Sequence, residues 1–300
     1  MLPVTEQENP NTADIDKVST LDAVRLINDE DKTVAEAVEK VLPAIVTSIG
    51  KIVERLQKGG RLFYIGTGTS GRLGVLDASE IPPTFGVSYD LIQGIIAGGY
   101  DALYKATESS EDDPDAGIGE LKNRGITAKD VVIGIAASGR TPYTIGAVKF
   151  ARELGCFTAC IVCVPDSSIA KEVEIAIVPV VGPEALTGST RMKSGTAQKM
   201  ILNMISTVAM IRLGYVSGNR MTNMRSSNEK LIDRGVRILV AETGINNALA
   251  KSLLSDAAYD LRTALVMAQA HVSRSQAESA LEQSDFNVEK ASFSLKGNSD

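Results

Sequence analysis

The sequence has few of the residues on which many enzymes depend. Its 300 residues include one histidine, three cysteines and no tryptophan. A single histidine excludes most zinc sites and, unless His271 serves it, a serine–histidine–aspartate triad. We expect His271 to be structural. Any chemistry must therefore use carboxylates, hydroxyls, lysine and arginine side chains or backbone amides.

The chain also lacks the features of a nucleic-acid or membrane partner. Its 31 Lys and Arg residues stand against 37 Asp and Glu residues, so no basic excess attracts a polyanion. Aromatic residues make up 4% of the chain, which leaves few platforms for stacking bases. No apolar run is long enough to span a bilayer, and residues 1–20 are too polar and acidic for a signal peptide. We therefore predict a cytoplasmic protein.

The cysteines do not predict a redox site. Cys160 and Cys163 form a C-x-x-C motif within a β-rich apolar run. Residues three apart on a strand point to opposite faces, whereas a redox pair needs a turn and a helix N-terminus. Three cysteines also exclude a disulfide framework. We expect Cys156, Cys160 and Cys163 to be buried and structural.

Short apolar strands alternate with helices in the middle of the chain. The predicted strands are residues 61–66, 91–97, 131–137, 157–164 and 175–181. The predicted helices are residues 71–80, 142–154 and 192–213. Pro82 and Pro83 should end the first of these helices. The alternation is typical of an α/β fold with a doubly wound parallel sheet flanked by helices.

Helical patterns lie on both sides of this region. Residues 20–56 have helical periodicity with a break at INDEDKT (27–33), and the first dozen residues should be disordered or form an arm. After about Asn219 we find no strand candidate, and the tail after Lys290 should be frayed. The C-terminal helices are predicted at residues 229–243, 246–255, 257–272 and 275–283. The predicted domains are residues 1–57, 58–218 and 219–300.

The first loop with a functional signal is GTGTSG, residues 66–71, which matches G-x-G-x-x-G between a strand and a helix. The second strand ends without the carboxylate that a dinucleotide fingerprint requires. The hydroxyls of Thr67, Thr69 and Ser70, with backbone amides at a helix N-terminus, suit a small phosphomonoester. We favour a phosphosugar over a dinucleotide, and a turn without a ligand is the remaining alternative.

Two further loops resemble the first. Residues 137–142, ASGRTP, also follow a strand and open a helix, and their hydroxyls would bind the same phosphate or cap the helix. Residues 188–195 precede the long helix with two cations, which would steer an anionic substrate or belong to a solvated cap. The candidate phosphate ligands are Thr69, Ser70, Ser138, Gly139 and Thr141. Further candidate substrate contacts are Thr67, Arg72, Arg140, Lys193 and Ser194.

Two carboxylates are candidates for acid–base chemistry. Glu80 ends the predicted helix 71–80, and the negative end of a helix disfavours another negative charge. Glu80 would therefore tend to keep a proton, as a general acid must. Glu111 lies in the acidic stretch ESSEDDPD (108–115), which by itself is typical of a solvated turn.

Three runs closely resemble the N-acetylmuramic acid 6-phosphate etherases, a family of the sugar isomerase (SIS) domain superfamily. They are TGTSGRLGVLDASEIPPTFG (67–86), GIAASGRTPY (134–143) and TGSTRMKSGTAQK (187–199). The resemblance extends from about Asn11 to about Lys230, and the C-terminus resembles the family's small ubiquitin-associated-like bundle. It implies an SIS-type sheet, a homodimer with the site near the subunit interface, and no metal or other cofactor.

The resemblance also implies a reaction. The family cleaves the lactyl ether of N-acetylmuramic acid 6-phosphate to N-acetylglucosamine 6-phosphate and D-lactate in cell-wall sugar recycling. Its acid and base match Glu80 and Glu111. A phosphosugar isomerase, a sugar-phosphate-sensing regulator and a nucleotide-binding dehydrogenase are the alternatives. A single SIS domain that keeps both glutamates favours catalysis over the regulator.

Overall fold

The computed structural model describes residues 2–105, 111–221, 229–284 and 286–296. The chain divides into two units. Residues 1–80 and 89–209 form the first unit, and residues 81–88 and 210–300 form the second. The threefold division drawn from the sequence stays a prediction. None of the described helices combines the length and the apolar character that crossing a bilayer requires.

A five-stranded parallel sheet forms the centre of the first unit. Its strands are β1 (Leu62–Gly66), β2 (Ile92–Ile96), β3 (Val131–Ile135), β4 (Phe157–Ile161) and β5 (Ile175–Ile177). Their order in the sheet is β2-β1-β3-β4-β5. Every residue of β1, β3 and β4 is buried, as a parallel sheet covered on both faces requires. The predicted fold class is confirmed, although each strand is shorter than its apolar run suggested.

Helices precede and connect these strands. They are α1 (Thr20–Glu39), α2 (Leu42–Gln57), α3 (Gly68–Phe85), α4 (Pro114–Asn123), α5 (Pro142–Leu154) and α6 (Lys193–Arg212). The core against one face of the sheet includes Phe63, Ile65, Val132 and Ala147. Side chains of β1 and β3 thus pack against α5, which fixes where the loops at the strand ends lie.

The N-terminal segment is ordered, so of the two alternatives predicted for it, a disordered segment or an arm, disorder is wrong. The Asn9 amide donates to the Pro183 carbonyl at 3.2 Å, and the Thr12 hydroxyl donates to the Ala185 carbonyl at 2.9 Å. Both side chains are buried. These partners lie more than 170 positions away in the sequence, so local composition could not indicate them.

Helix α1 is continuous, so the predicted break at residues 27–33 is also wrong. The stretch is polar, but Glu30 within it is buried and binds Lys193 of α6. Asp29 and Lys32 form an exposed ion pair one turn apart on the same helix. Asp29, Glu30 and Lys32 therefore have partners, and the charges of this stretch do not mark a loop.

Helix α3 extends beyond the predicted range at both ends. Pro82 and Pro83 lie inside it. Proline removes a backbone donor, but its fixed φ near −65° is helical, so the pair weakens the helix without ending it. Gly86, with φ +63°, donates its N–H to the Pro82 carbonyl and closes the last turn. Glu80 is therefore not at a helix end, so the argument from helix polarity for Glu80 as the acid does not apply.

The second unit contains a helical bundle. Its helices are α7 (Glu229–Thr243), α8 (Asn247–Asp256), α9 (Leu261–Ala270), α10 (Arg274–Gln283) and α11 (Val288–Lys296). Leu239, Leu254, Leu261 and Leu281 are among the side chains buried in its core. The first four helices confirm the sequence prediction. The structure places His271 at the end of α9 in the left-handed conformation, with φ 55°.

Two features of this unit were not predicted. Helix α11 occupies the tail expected to fray, because Val288 and Ala291 are buried in the bundle core. A short antiparallel pair, β6 (Val216–Ser217) and β7 (Arg220–Met221), lies where no strand was expected. Strands of two residues have no periodicity that a sequence pattern could show.

Candidate active site

The first two loops with functional signals lie at one edge of the sheet. Strand β1 lies between β2 and β3, and Gly66 at its end is in register with both Ile96 and Ile135. A Cβ added to Gly66 would stand 2.7 Å from the Ile135 carbonyl oxygen, so the ends of β1 and β3 are closely packed. In sheets of this order, ligands bind at the carboxyl ends of the strands where the strand order reverses. The candidate site therefore lies at the carboxyl ends of β1 and β3.

The first loop places a helix N-terminus at this edge. Helix α3 starts at Gly68, directly after β1, so the amides of Gly68, Thr69 and Ser70 belong to its first turn. First-turn amides have no acceptor within the helix, and together with the helix dipole they favour an anion. Thr67 is buried and Thr69 is partly exposed beside these amides. Thr67 and Thr69 therefore lie next to the first-turn amides at the start of α3.

Ser70 has a partner that motif reasoning missed. Its hydroxyl donates to Gln198 Oε1 at 2.9 Å, from α3 to α6. Both side chains are buried. Gln198 lies within the run TGSTRMKSGTAQK, but a glutamine inside a helix fits no general motif for phosphate binding.

The second loop is held in place by residues of the segment that follows β4. Gly139 has φ +67°, and a Cβ there would stand 2.5 Å from Ser167 Cβ in the loop after β4. The Ile169 amide donates to the Gly139 carbonyl at 3.1 Å. Within the described chain, the Thr141 side chain forms no capping bond with α5. The Thr141 hydroxyl is therefore not used as the cap of α5.

Glu111 lies between these two loops. Its backbone carbonyl accepts the Tyr143 amide of α5 at 3.1 Å. Its carboxylate Oε1 stands 3.5 Å from the position of a Cβ on Gly68 in the first loop. The residues just before it, 106–110, lie outside the described residues. The structure thus brings Glu111 together with both loops, although its local sequence is typical of a solvated turn.

Glu80 is not brought to the same place within one chain. It is exposed on α3, twelve positions after Gly68 along one continuous helix. At 1.5 Å of rise per residue, this is roughly 18 Å along the helix axis. The Glu111 carboxylate lies beside the Gly68 end of that helix, so the two predicted catalytic carboxylates lie far apart in one subunit.

Arg72 and Arg140 differ in their surroundings. The Arg72 guanidinium donates to the backbone carbonyls of Leu103 at 3.0 Å and Lys105 at 3.3 Å. It therefore ties the start of α3 to the segment that leads toward Glu111. Arg140, in the second loop, is exposed.

The third loop lies next to the first, but its helix N-terminus is already occupied. A Cβ on Gly195 would stand 3.4 Å from Thr69 Cγ2. The buried carboxylate of Glu184 accepts the backbone amides of Lys193 at 2.8 Å and Ser194 at 2.9 Å. A protein carboxylate thus takes the position in which a bound anion would lie, a cap that no local pattern predicted.

Lys193 is paired within the fold. Its side chain is almost fully buried, and its ammonium binds Glu30 Oε2 at 2.5 Å. Burial by itself would raise the pKa of Glu30, but hydrogen bonds from Lys193, Asn11 and Asn9 lower that pKa overall. The charge of Lys193 is therefore neutralised by α1, which argues against its role as a steering cation. Ser194 is fully buried beside it.

The cysteines are buried and free, as predicted. Burial raises the pKa of Cys160 and of Cys163 to about 12, and that of Cys156 to about 11. Such thiols are poor nucleophiles at neutral pH. Among the described residues, no group of three or more His, Cys, Asp or Glu side chains is placed to hold a metal ion.

Known proteins share this architecture and much of this sequence. The model of the glucokinase regulatory protein N-terminal SIS domain matches residues 44–152, and that of the SIS domain matches residues 117–208. The N-acetylmuramic acid 6-phosphate etherase of Clostridium beijerinckii is 52% identical over 287 residues, which are 96% of this chain and 94% of that relative. The Yersinia pestis protein of the same name is 53% identical over 280 residues, 93% and 95% of the two chains.

A solved structure shows the same fold at lower identity. It is a Bacteroides fragilis protein described as a phosphosugar isomerase involved in capsule formation, with a TM-score of 0.51 and 21% identity. The match covers 67% of this chain and 95% of the other. At this identity the likeness concerns the fold alone.

Proposed function

The chain belongs to the N-acetylmuramic acid 6-phosphate etherases, and on that premise we propose that it cleaves the D-lactyl ether of N-acetylmuramic acid 6-phosphate. The products are N-acetylglucosamine 6-phosphate and D-lactate, and the reaction serves amino-sugar recycling in the cytoplasm. The observation that carries the proposal is the position of Glu111, a carboxylate between two hydroxyl-rich loops at the carboxyl ends of β1 and β3.

The phosphate of the substrate is held by the two loops. The first-turn amides of α3 and the hydroxyls of Thr69 and Ser70 form one side of its site, and Ser138 and Thr141 form the other. A dianion gains from the positive end of α3. Binding at the phosphate, remote from the reacting carbons, orients the sugar so that a positioned carboxylate can reach its C2 proton.

Glu111 acts as the base. In the ring-opened sugar, the C2 proton is acidic because it lies next to the C1 aldehyde. Glu111 removes this proton, and a C2–C3 double bond forms as the C3–O bond to lactate breaks. Glu80 gives its proton to the departing oxygen, and water then adds at C3 while a proton returns to C2. Each positioned proton transfer contributes about 10²–10⁴-fold to the rate.

The acid comes from a second copy of the chain. Glu80 and Gly68 are separated by roughly 18 Å along α3, and a general acid must lie within hydrogen-bond reach of the atom it protonates. Glu80 therefore cannot protonate the C3 oxygen of a sugar held against Glu111 of its own subunit. We propose a homodimer in which Glu80 of one protomer completes the site of the other, as a two-fold symmetric interface allows.

A phosphosugar isomerase is the second candidate, because the position of Glu111 between the two loops would suit that reaction as well. It would also use a carboxylate base, but it would leave the lactyl ether intact. The extent and level of identity to the etherases favour the etherase.

Lactate release in deuterium oxide tests the proposal. Incubation with N-acetylmuramic acid 6-phosphate should release D-lactate, detected with lactate dehydrogenase, and the sugar product should carry deuterium at C2. N-acetylmuramic acid without the phosphate is the matched control and should react far more slowly. Absence of lactate would reject the etherase, and lactate without deuterium at C2 would reject elimination and re-addition.

A further inference from the structure

Gln198 presents a buried donor group that meets no acceptor in the part of the chain that the structure describes. The side chain is 1% exposed on α6, and its Oε1 accepts the Ser70 hydroxyl at 2.9 Å. Its Nε2 carries two N–H groups and has no hydrogen-bond partner among the described residues. A buried polar group without a partner is unfavourable, so it calls for an explanation, such as a ligand that supplies the partner.

The Ser70 hydroxyl has one proton, which it can donate either to Gln198 Oε1 or to a bound phosphate. In the structure the proton is donated to Gln198 Oε1. A bound phosphate dianion only accepts hydrogen bonds, so Ser70 must turn its proton away from Gln198 to bind it. A half-turn of the Gln198 carboxamide exchanges its oxygen and nitrogen, and Nε2 can then donate to Ser70 Oγ. In this second arrangement Nε2 donates to Ser70 Oγ, and the Ser70 proton is donated to the bound anion.

We propose that Gln198 is a positioning residue that commits the Ser70 proton to the substrate phosphate. The hydrogen bonds then run in one direction, from Gln198 Nε2 to Ser70 Oγ and from Ser70 to a phosphoryl oxygen. Hydrogen bonds in such a chain strengthen one another. This inference rests on the proposed function, because it takes the loop at the start of α3 as the phosphate site. It explains why a donor without a partner lies beneath that loop.

Three single variants test this role by direct binding of inorganic phosphate and of N-acetylglucosamine 6-phosphate, measured by calorimetry. Gln198→Met keeps the size and removes the donor, and it should weaken binding of both probes about tenfold. Gln198→Glu can only accept, so it holds the Ser70 proton and adds a negative charge. It should weaken binding by about a hundredfold or more. Gln269→Met is the matched control, since Gln269 Oε1 accepts the Ser292 hydroxyl at 2.8 Å in the second unit. The control should leave binding unchanged.

The double variant with Ser70→Ala separates positioning from a merely structural role. If Gln198 acts through Ser70, Gln198→Met should weaken phosphate binding no further once Ser70 is alanine. In lactate release, Gln198→Met should raise KM more than it lowers kcat. Thermal unfolding identifies any variant that does not fold. If the buried charge of Gln198→Glu prevents folding, the result for Gln198→Met decides the test.

Two results would overturn the inference. One is phosphate binding by folded Gln198→Met within about twofold of the unsubstituted chain, and the other is full additivity with Ser70→Ala. Failure of the proposed function looks different. The unsubstituted chain would then release no lactate while phosphate binding still depended on Gln198.

Discussion

Glu111 is held at the sheet edge by its backbone. The Tyr143 amide binds its carbonyl, and its side chain is partly exposed beside Gly68. The substitution Glu111→Gln should therefore leave the fold intact while removing the base. We expect lactate release to fall by about 10²–10⁴-fold, with phosphate binding retained. Initial-rate assays and phosphate calorimetry check this. A folded Glu111→Gln protein with near-normal turnover would show that another group removes the C2 proton.

Position 139 has a backbone conformation and surroundings that only glycine fits. Its φ of +67° strains any other side chain, and a Cβ would collide with Ser167. Gly139→Ala should lower the free energy of unfolding by about 1–3 kcal/mol and raise KM, because the second loop must shift. Gly125→Ala is the control, since Gly125 also has positive φ, +58°, but nothing lies within 4 Å of its added Cβ. If both variants raised KM equally, the contact with Ser167 would not position the loop.

At the scale of elements, the ion pair that joins α1 to α6 should contribute to the free energy of unfolding. Lys193 and Glu30 form a buried ion pair. Removing one partner leaves an uncompensated buried charge, so Lys193→Met should lower the free energy of unfolding by about 3–5 kcal/mol. The exposed pair of Lys32 and Asp29 offers the control, since Lys32→Met should change stability by less than about 1 kcal/mol. Equal effects in urea unfolding would contradict a structural role for the buried pair.

The pair of Lys193 and Glu30 should also make the free energy of unfolding depend on pH. The folded-state pKa of Glu30 lies below its ordinary value of 4.5. Its contribution is therefore fully present above about pH 4.5 and is lost as the pH falls through the lower folded pKa. Glu30→Gln should make the free energy of unfolding less dependent on pH in that acidic range. If the free energy of unfolding of Glu30→Gln fell with decreasing pH as steeply as that of the unsubstituted chain, other carboxylates would account for the pH dependence.

The elements that the sequence predicted well are those whose signals are local. Helices α5 and α7 match their predicted ranges, because their apolar periodicity and end signals agree. The predicted range of helix α3 ends too early, because proline is expected to end a helix. The φ of Pro82 and Pro83 is nevertheless compatible with a helix, and both lie inside α3. The N-terminal segment was misjudged because its partners, Pro183 and Ala185, lie far away in the sequence.

At the scale of the whole molecule, part of the site followed from the rule that parallel strands end at one edge. That rule predicted that the loops after β1 and β3 would meet, and the structure confirms their proximity. Gln198 and Glu184 could not be predicted, because contacts with distant parts of the chain give them their roles. The separation of Glu80 from Glu111 also escaped prediction, since it depends on the full course of α3.

The dimer with a shared site is the claim on which this account depends most. Glu80→Gln and Glu111→Gln proteins, each inactive alone, can be mixed, unfolded and refolded together so that subunits combine at random. Each mixed dimer should contain one site with Glu111 of one protomer and Glu80 of the other. About a quarter of the unsubstituted lactate-releasing activity should therefore return. Refolded single variants are the control. If the mixture stayed as inactive as its parents while the refolded unsubstituted protein recovered activity, Glu80 and Glu111 would not meet across a subunit interface.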